Sequence, residues 1–388
     1  MDVRVDDGSG VFGRWGGRVV LVLVGVLAPL IGLELGLRLV GFEHARLRPP
    51  VLVWNAERDS DMRAGLDLHE AWPSGLWRPR ANAAIPDVPG ETTNELGLRG
   101  PSPDAATGTV LVSLGDSSTF GWETPWAETY SGRLESELGD DHAVLGGGVI
   151  GYTLVQGRAR YVDLVRTLEP SVAILAFGAV NEHFPSDVGG DQERIELLLE
   201  RDSKLDQLVE SLHGVSRLMQ GIAYLAEQAR GGREALMASW TESKLSFDRD
   251  FERRGELDFP GHRRVEVVEF ERGLRGFVDE LRADGVAPIL VSMPRRLEFE
   301  QGKPILERYT DAVERVAEGT GVPLVDARAA FRADPRGEDA LLIDTVHPTS
   351  SGHALICDLL LPTVRAALGS APEAGDTGSP LSPGADGR

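Results

Sequence analysis

Val110-Leu111-Val112-Ser113-Leu114-Gly115-Asp116-Ser117-Ser118-Thr119-Phe120-Gly121 is the stretch whose reading decides the fold. It opens as an apolar run and breaks at Gly-Asp-Ser, the pattern of a buried strand ending in a tight turn. In an open α/β sheet, ligands gather outside the carboxyl ends of the strands, where loops and helix N-termini turn backbone N–H groups toward an anion. Ser117 stands at such an edge. Gly, Asp and Ser are also ordinary residues of turns and helix N-caps, so by itself the tripeptide leaves a purely structural turn open.

The second half of the pattern lies far downstream. Asp344-Thr345-Val346-His347-Pro348-Thr349-Ser350-Ser351-Gly352-His353 places a carboxylate three residues before an imidazole, on a loop that opens the last helix. A serine hydroxyl needs a base to take its proton, and the base needs an orienting carboxylate. Ser117, His347 and Asp344 supply that set.

A Gly-Asp-Ser near the start of a domain and an Asp-x-x-His-Pro near its end resemble the SGNH (GDSL-type) hydrolase family. Two further blocks of that family have counterparts in between: Gly148-Val149-Ile150-Gly151-Tyr152 resembles its glycine block and Phe177-Gly178-Ala179-Val180-Asn181-Glu182 its asparagine block. The resemblance covers about Asn94 to Leu368. It implies a three-layer α/β/α fold with a central, mostly parallel sheet, Ser117 as nucleophile, and an oxyanion hole made by the N–H groups of Ser117 and Gly151 and the Asn181 side chain. Two departures stand out. Gly146 occupies the place of the asparagine that usually opens the glycine block, and the asparagine block reads Gly-x-x-Asn-Glu instead of Gly-x-Asn-Asp.

Composition narrows the function classes. A net charge of -21 over 388 residues argues against nucleic acid, which calls for clustered Lys and Arg. It also suits an anionic membrane surface poorly, so any membrane attachment must be hydrophobic. The single cysteine, Cys357, rules out an internal disulfide and a multi-cysteine metal site, and its apolar neighbours suggest a small core residue. There is no H-E-x-x-H, cysteine cluster or calcium loop, and neither a metal nor another cofactor is expected.

From Val19 to Leu33 the chain carries no charge, and its apolar pattern continues past Glu34 and Arg38 to Phe42. These roughly 24 residues exceed the ~20 a helix needs to cross a bilayer. Arg14 and Arg18 precede the run, as expected of a flank kept in the cytoplasm. The reading is a single-pass anchor over 19–42 after a cytoplasmic tail over 1–18, with the catalytic domain on the extracytoplasmic side. Pro29 is tolerable in such a helix. A cleaved signal peptide and a core helix with Glu34 and Arg38 paired at i, i+4 are the alternatives.

A Pro-, Trp- and Arg-rich stretch over 43–103 reads as a stalk or lead-in. Its Asn94-x-x-Gly97-x-Arg99 segment is similar to one carried by membrane-anchored bacterial members of the family. The plainer reading has Asn94 and Gly97 shaping turns and Arg99 pairing with a surface carboxylate. The hydrolase domain is placed at 104–368, with strands at Val110–Leu114, Ala143–Leu145, Val172–Phe177, Ala287–Met293 and Val322–Val325. Ser117, Gly151 and Asn181 each follow a strand, so a parallel sheet brings them to one edge. A helical insertion spans about 185–262, where Leu205, Leu208, Leu212, Val215, Met219 and Ile222 form one apolar stripe. His183 reads as an incidental loop histidine, with substrate contact as the alternative, His353 as structural, and 369–388 as a disordered tail.

The implied activity is that of a serine esterase acting on an acyl ester, of a small molecule or of an O-acylated glycan. Two alternatives stay open: an O-acyl transferase modifying an envelope polysaccharide, and a non-catalytic envelope protein that binds a glycan or a partner.

Overall fold

The computed structural model describes residues 9–44, 68–103, 108–178, 180–186, 189–201, 204–232, 235 and 252–370. The expected tail over 369–388, the first residues of the expected 1–18 tail and the 45–67 part of the lead-in therefore lie largely or wholly outside the described residues. The chain divides into two compact units, one of residues 1–51 and 199–245, the other of 52–198 and 246–388.

The smaller unit is helical. Its helix α1 spans Ser9–Leu39. Among the described residues, no helix is long and apolar enough to cross a membrane, so the span expected over 19–42 is not shown. Glu34 and Arg38 interrupt the apolar run, and both are engaged within this unit. The Glu34 carboxylate accepts the Ser216 hydroxyl at 2.9 Å and the N–H groups of Arg217 at 3.1 Å and Leu218 at 2.7 Å. Arg38 donates to the Val215 carbonyl at 2.6 Å and to Glu34 at 2.7 Å. The apolar stripe read as one helix is consequently broken at Ser216, which ends one helix (Lys204–Val215) and caps the next (Arg217–Ala229).

In the larger unit, a hairpin of β1 (His69–Trp72) and β2 (Leu76–Pro79) precedes the sheet. The lead-in is therefore no stalk over 68–103: Leu68, Leu76, Trp77, Ile85, Val88 and Leu98 are buried in this unit. The central sheet comprises β3 (Thr109–Gly115), β4 (His142–Gly146), β5 (Val172–Ala176), β6 (Ala287–Ser292) and β7 (Leu324–Asp326). Among the described residues it has five strands in the order β4-β3-β5-β6-β7, and every pairing is parallel.

Side chains alternate between the faces of a strand, and both faces of this sheet are covered, which is why its strands read as largely apolar runs. Val112, Leu114, Ala173, Leu175 and Leu290 pack with Leu154 and Tyr161 of helix Leu154–Asp163, and with Phe270, Leu274 and Phe277 of helix Val267–Ala283. Leu111, Val144, Val172, Ile174 and Ile289 face the other way. They meet Tyr130 and Leu134 of helix Tyr130–Leu138 and Ile356, Leu360 and Val364 of helix Ser350–Ser370. Cys357 is buried on that side. The layers match the expected α/β/α arrangement, with β3, β4 and β5 adjacent and their carboxyl ends on one edge.

Candidate active site

Ser117 opens a four-residue helix that follows β3 directly. The turn is tight because Gly115 has no space for a side chain: a Cβ there would come within 2.1 Å of Thr119 Oγ1 and 2.8 Å of the Ala176 carbonyl. Asp116 caps the helix by accepting the Ser118 N–H at 2.9 Å. Burial raises the Asp116 carboxyl above its ordinary pKa, against the pull of the Ser118 N–H. Gly121 closes the turn with φ +81°.

Arg99 fastens this turn from below. Its guanidinium donates to the carbonyls of Phe120 at 2.8 Å, Gly121 at 2.9 Å and Thr124 at 3.0 Å, and pairs with Glu91. It also lies over the Phe120 ring at 5.1 Å. Arg99 does pair with a partly exposed carboxylate, as read, but with 1 % of its surface exposed it does so as a core residue.

The histidine loop reaches the same edge. The Asp344 carboxylate accepts the N–H groups of Val346 and His347 on Oδ1, both at 2.8 Å, while Oδ2 lies 2.7 Å from His347 Nδ1. Burial pushes the Asp344 carboxyl up, but the imidazole and the two N–H groups outweigh it and hold it well below the usual carboxylate range. The opposite imidazole nitrogen, Nε2, lies 2.8 Å from Ser117 Oγ. A carboxylate on Nδ1 keeps the proton there and leaves Nε2 to accept from the serine. Ser118 Oγ donates to the Val346 carbonyl at 3.1 Å and ties the two loops together. Trp122 stacks on the imidazole, with centroids 5.8 Å apart and planes at 26°.

The glycine loop after β4 packs directly on the nucleophile turn. The N–H groups of Gly147 and Val149 donate to the carbonyls of Ser113 and Gly115 at 2.8 and 3.1 Å. Gly148 permits this approach, since a Cβ there would come within 2.5 Å of the Phe120 nitrogen. Gly151 adopts φ +77°. Hydrogen bonds among the described residues leave the N–H groups of Ser117 and Gly151 untaken.

Asn181 is brought to the same place but is differently engaged. Its side-chain N–H groups go to the Tyr152 carbonyl at 3.0 Å and to Asp116 Oδ2 at 3.3 Å. His183 and His353 are both fully buried. Burial, assisted by the charge of Arg99, lowers His353 to a pKa of about 3, so it is a neutral core residue tilted over Tyr130. Among the described residues, no three His, Cys, Asp or Glu side chains are grouped to hold a metal ion.

A hydroxyl, an imidazole and a carboxylate joined in that order at the carboxyl edge of a parallel sheet make the arrangement that acyl transfer through a serine requires. Residues 113–355 match the GDSL-like lipase/acylhydrolase family, and the chain belongs to that family. It is an ester-bond hydrolase. No curated protein sequence matches it. Among solved structures, it is similar to Axe2, an acetylxylan esterase from Geobacillus stearothermophilus, at 19% identity over 67% of this chain and 95% of that one, with a TM-score of 0.39. It is also similar to the lipase/acylhydrolase from Enterococcus faecalis, at 15% identity over 66% and 96%, with a TM-score of 0.40. LAE5, an alpha/beta hydrolase from the metagenome of Lake Arreo, Spain, matches at 19% over 69% and 98%, with a TM-score of 0.41.

Proposed function

We propose that the chain cleaves a carboxylic ester, carried by a small molecule or by an O-acylated glycan, through an acyl-enzyme on Ser117. The observation that carries this reading is the row Asp344–His347–Ser117, with separations of 2.7 and 2.8 Å. His347 Nε2 takes the hydroxyl proton as Ser117 Oγ bonds to the ester carbonyl carbon. The carbonyl oxygen becomes an oxyanion and rests on the N–H groups of Ser117 and Gly151. Asn181 serves as a third donor when its longer bond to Asp116 yields to the stronger acceptor. Collapse of the tetrahedral species breaks the ester C–O bond, and the alcohol leaves with the proton from His347. Water, deprotonated by His347, then releases the acid.

The test offers the full chain a small activated acetyl ester and measures product release and intact mass beside Ser117→Ala. Turnover and an acyl adduct that both vanish in the variant are expected. Equal turnover by the variant would remove Ser117 as the nucleophile, whereas no turnover and no adduct in folded wild type between neutral and mildly alkaline pH would sink the reading and leave a binding protein. Adding sugar acceptors to the same reaction separates transfer from hydrolysis.

We further propose that the smaller unit seats the chain at a membrane, with the larger unit on the extracytoplasmic side. Val24, Leu27, Ile31 and Leu35 of α1 and Val215, Ile222 and Leu225 beyond it are exposed, an apolar surface that lipid would cover. Arg14 and Arg18 before the uncharged run support the orientation. Full-length protein should float with liposomes and, in cells, be open to protease from outside. Recovery in the soluble fraction would count against the attachment.

A further inference from the structure

The N–H of Gly151 belongs to the peptide plane that joins it to Ile150, and the far side of that plane is held. The indole N–H of Trp77, on β2, donates to the Ile150 carbonyl at 3.1 Å. Since carbonyl and N–H point in opposite directions across a planar trans peptide, fixing one aims the other. The next plane is held as well: Arg264 Nη1 donates to the Gly151 carbonyl at 2.7 Å. Arg264 is in turn oriented by Asp191, whose two carboxylate oxygens lie 3.2 and 3.1 Å from Nε, with Oδ2 also 2.7 Å from Nη2. Its guanidinium lies over the Trp77 ring at 5.5 Å. Arg264 and Asp191 are both buried, and neither belongs to the sheet or to the loops that carry the triad.

The backbone around Arg264 grips the asparagine loop. Its own N–H donates to the Phe184 carbonyl at 2.8 Å, the Val265 N–H donates to the Glu182 carbonyl at 3.1 Å, and the Arg264 carbonyl accepts the Asp191 N–H at 2.7 Å. One segment therefore touches the loops bearing Gly151 and Asn181 from behind.

We propose that Trp77, Arg264 and Asp191 are positioning residues that aim the Gly151 N–H at the developing oxyanion. The inference rests on the assignment of Gly151 as an oxyanion donor made above. It places the control of oxyanion stabilisation in three segments outside the α/β core: the lead-in hairpin and the opening and closing edges of the insertion. A rigidly aimed donor needs no reorientation when the negative charge forms, which is the condition under which it lowers a barrier.

Two variants of the full chain test this. Trp77→Phe keeps an aromatic side chain at this place but exchanges the indole for the smaller phenyl and removes the N–H donor. In the double variant Arg264→Met with Asp191→Leu, apolar side chains replace the buried pair, and Thr153 and Gln156, which bond to Asp191 and Arg264, each lose a partner, so the thermal midpoint is read beside kcat. Removing an oxyanion donor outright costs about 10²–10³ in kcat, and misaiming one should cost about 10–100-fold. Both variants should lose kcat on an acetyl ester with KM unchanged. They should also bind a trifluoromethyl ketone, which forms an oxyanion on addition of Ser117, more weakly by a similar factor. Affinity for the corresponding methyl ketone should stay near wild type, and the loss of kcat should exceed what any fall in the thermal midpoint accounts for. Wild-type kcat in Trp77→Phe would overturn the proposal while leaving the Ser117 chemistry intact. Losses that follow the thermal midpoint in both variants would reduce these residues to a structural role and overturn it too. If wild type shows no Ser117-dependent turnover, the parent reading fails and the positioning role fails with it.

Discussion

Asp344→Asn is the substitution whose outcome the geometry specifies in most detail. Oδ1 of Asp344 accepts the N–H groups of Val346 and His347, and an asparagine carbonyl at the same place can keep both. The loop should therefore hold. What changes is Oδ2, an acceptor 2.7 Å from His347 Nδ1, which becomes an NH₂ donor. Nδ1 must then accept, the ring proton moves to Nε2, and Nε2 can no longer take the Ser117 proton across 2.8 Å. Where a triad is buried this inversion costs about 10⁴ in kcat. The Asp344 side chain is 48% exposed, so water can occupy Nδ1 in part of the population, and a loss of about 10³-fold, or ~4 kcal/mol of barrier, is expected. The assay is kcat and KM on an activated acetyl ester from pH 6 to 9. A wild-type KM with the reduced kcat is the expected pair.

The same variant carries a stability signature with a definite sign. The folded-state pKa of Asp344 lies below its unfolded value, so the carboxylate stabilises the fold above the unfolded pKa, and that contribution is lost as pH falls through the folded one. Asp344→Asn should therefore melt below wild type at pH 7, with the gap closing in strong acid. A kcat within tenfold of wild type at pH 7 would refute the orienting role of Asp344.

Other substitutions read other parts of the structure. His353, held at a pKa of about 3 against an unfolded value near 6.5, leaves the unfolded chain to take the proton first as pH falls. By pH 5 it should destabilise the fold by about 2 kcal/mol, and His353→Phe should flatten the stability-pH slope in urea titrations between pH 7 and 5. Arg99→Met leaves three carbonyls and Glu91 without their shared donor and should cost about 3 kcal/mol in chemical denaturation, the lower end for a broken buried pair because Glu91 is partly exposed. Asn181→Ala should lower kcat by about 10²-fold at constant KM. A rise in KM with unchanged kcat would instead assign Asn181 to substrate binding.

The layered α/β fold was legible in the sequence because a parallel strand covered on both faces has to be largely apolar, and Val172–Phe177 is so throughout and Val110–Leu114 at all but Ser113. The places of Ser117, Gly151 and Asn181 were legible for a related reason: each follows a strand, and parallel strands put their carboxyl ends together. His347 and Asp344 were readable as a local pair because three residues on one loop suffice to join them.

Other features depended on partners remote in sequence. Arg99 read as the partner of a surface carboxylate and Arg264 drew no reading, since nothing in the neighbouring residues reveals that a guanidinium will be spent on carbonyls of the nucleophile turn or of Gly151. Trp77 fell in a Pro- and Trp-rich stretch with no periodicity, yet its indole N–H is buried against Ile150. The insertion showed its apolar stripe, but the break at Ser216 follows from Glu34, whose carboxylate takes the first N–H groups of the new helix. Periodicity records which face of an element is apolar and which strand edge carries a loop. The partner of a buried charge is chosen by the folded chain, where burial makes an unpaired polar group too costly to keep.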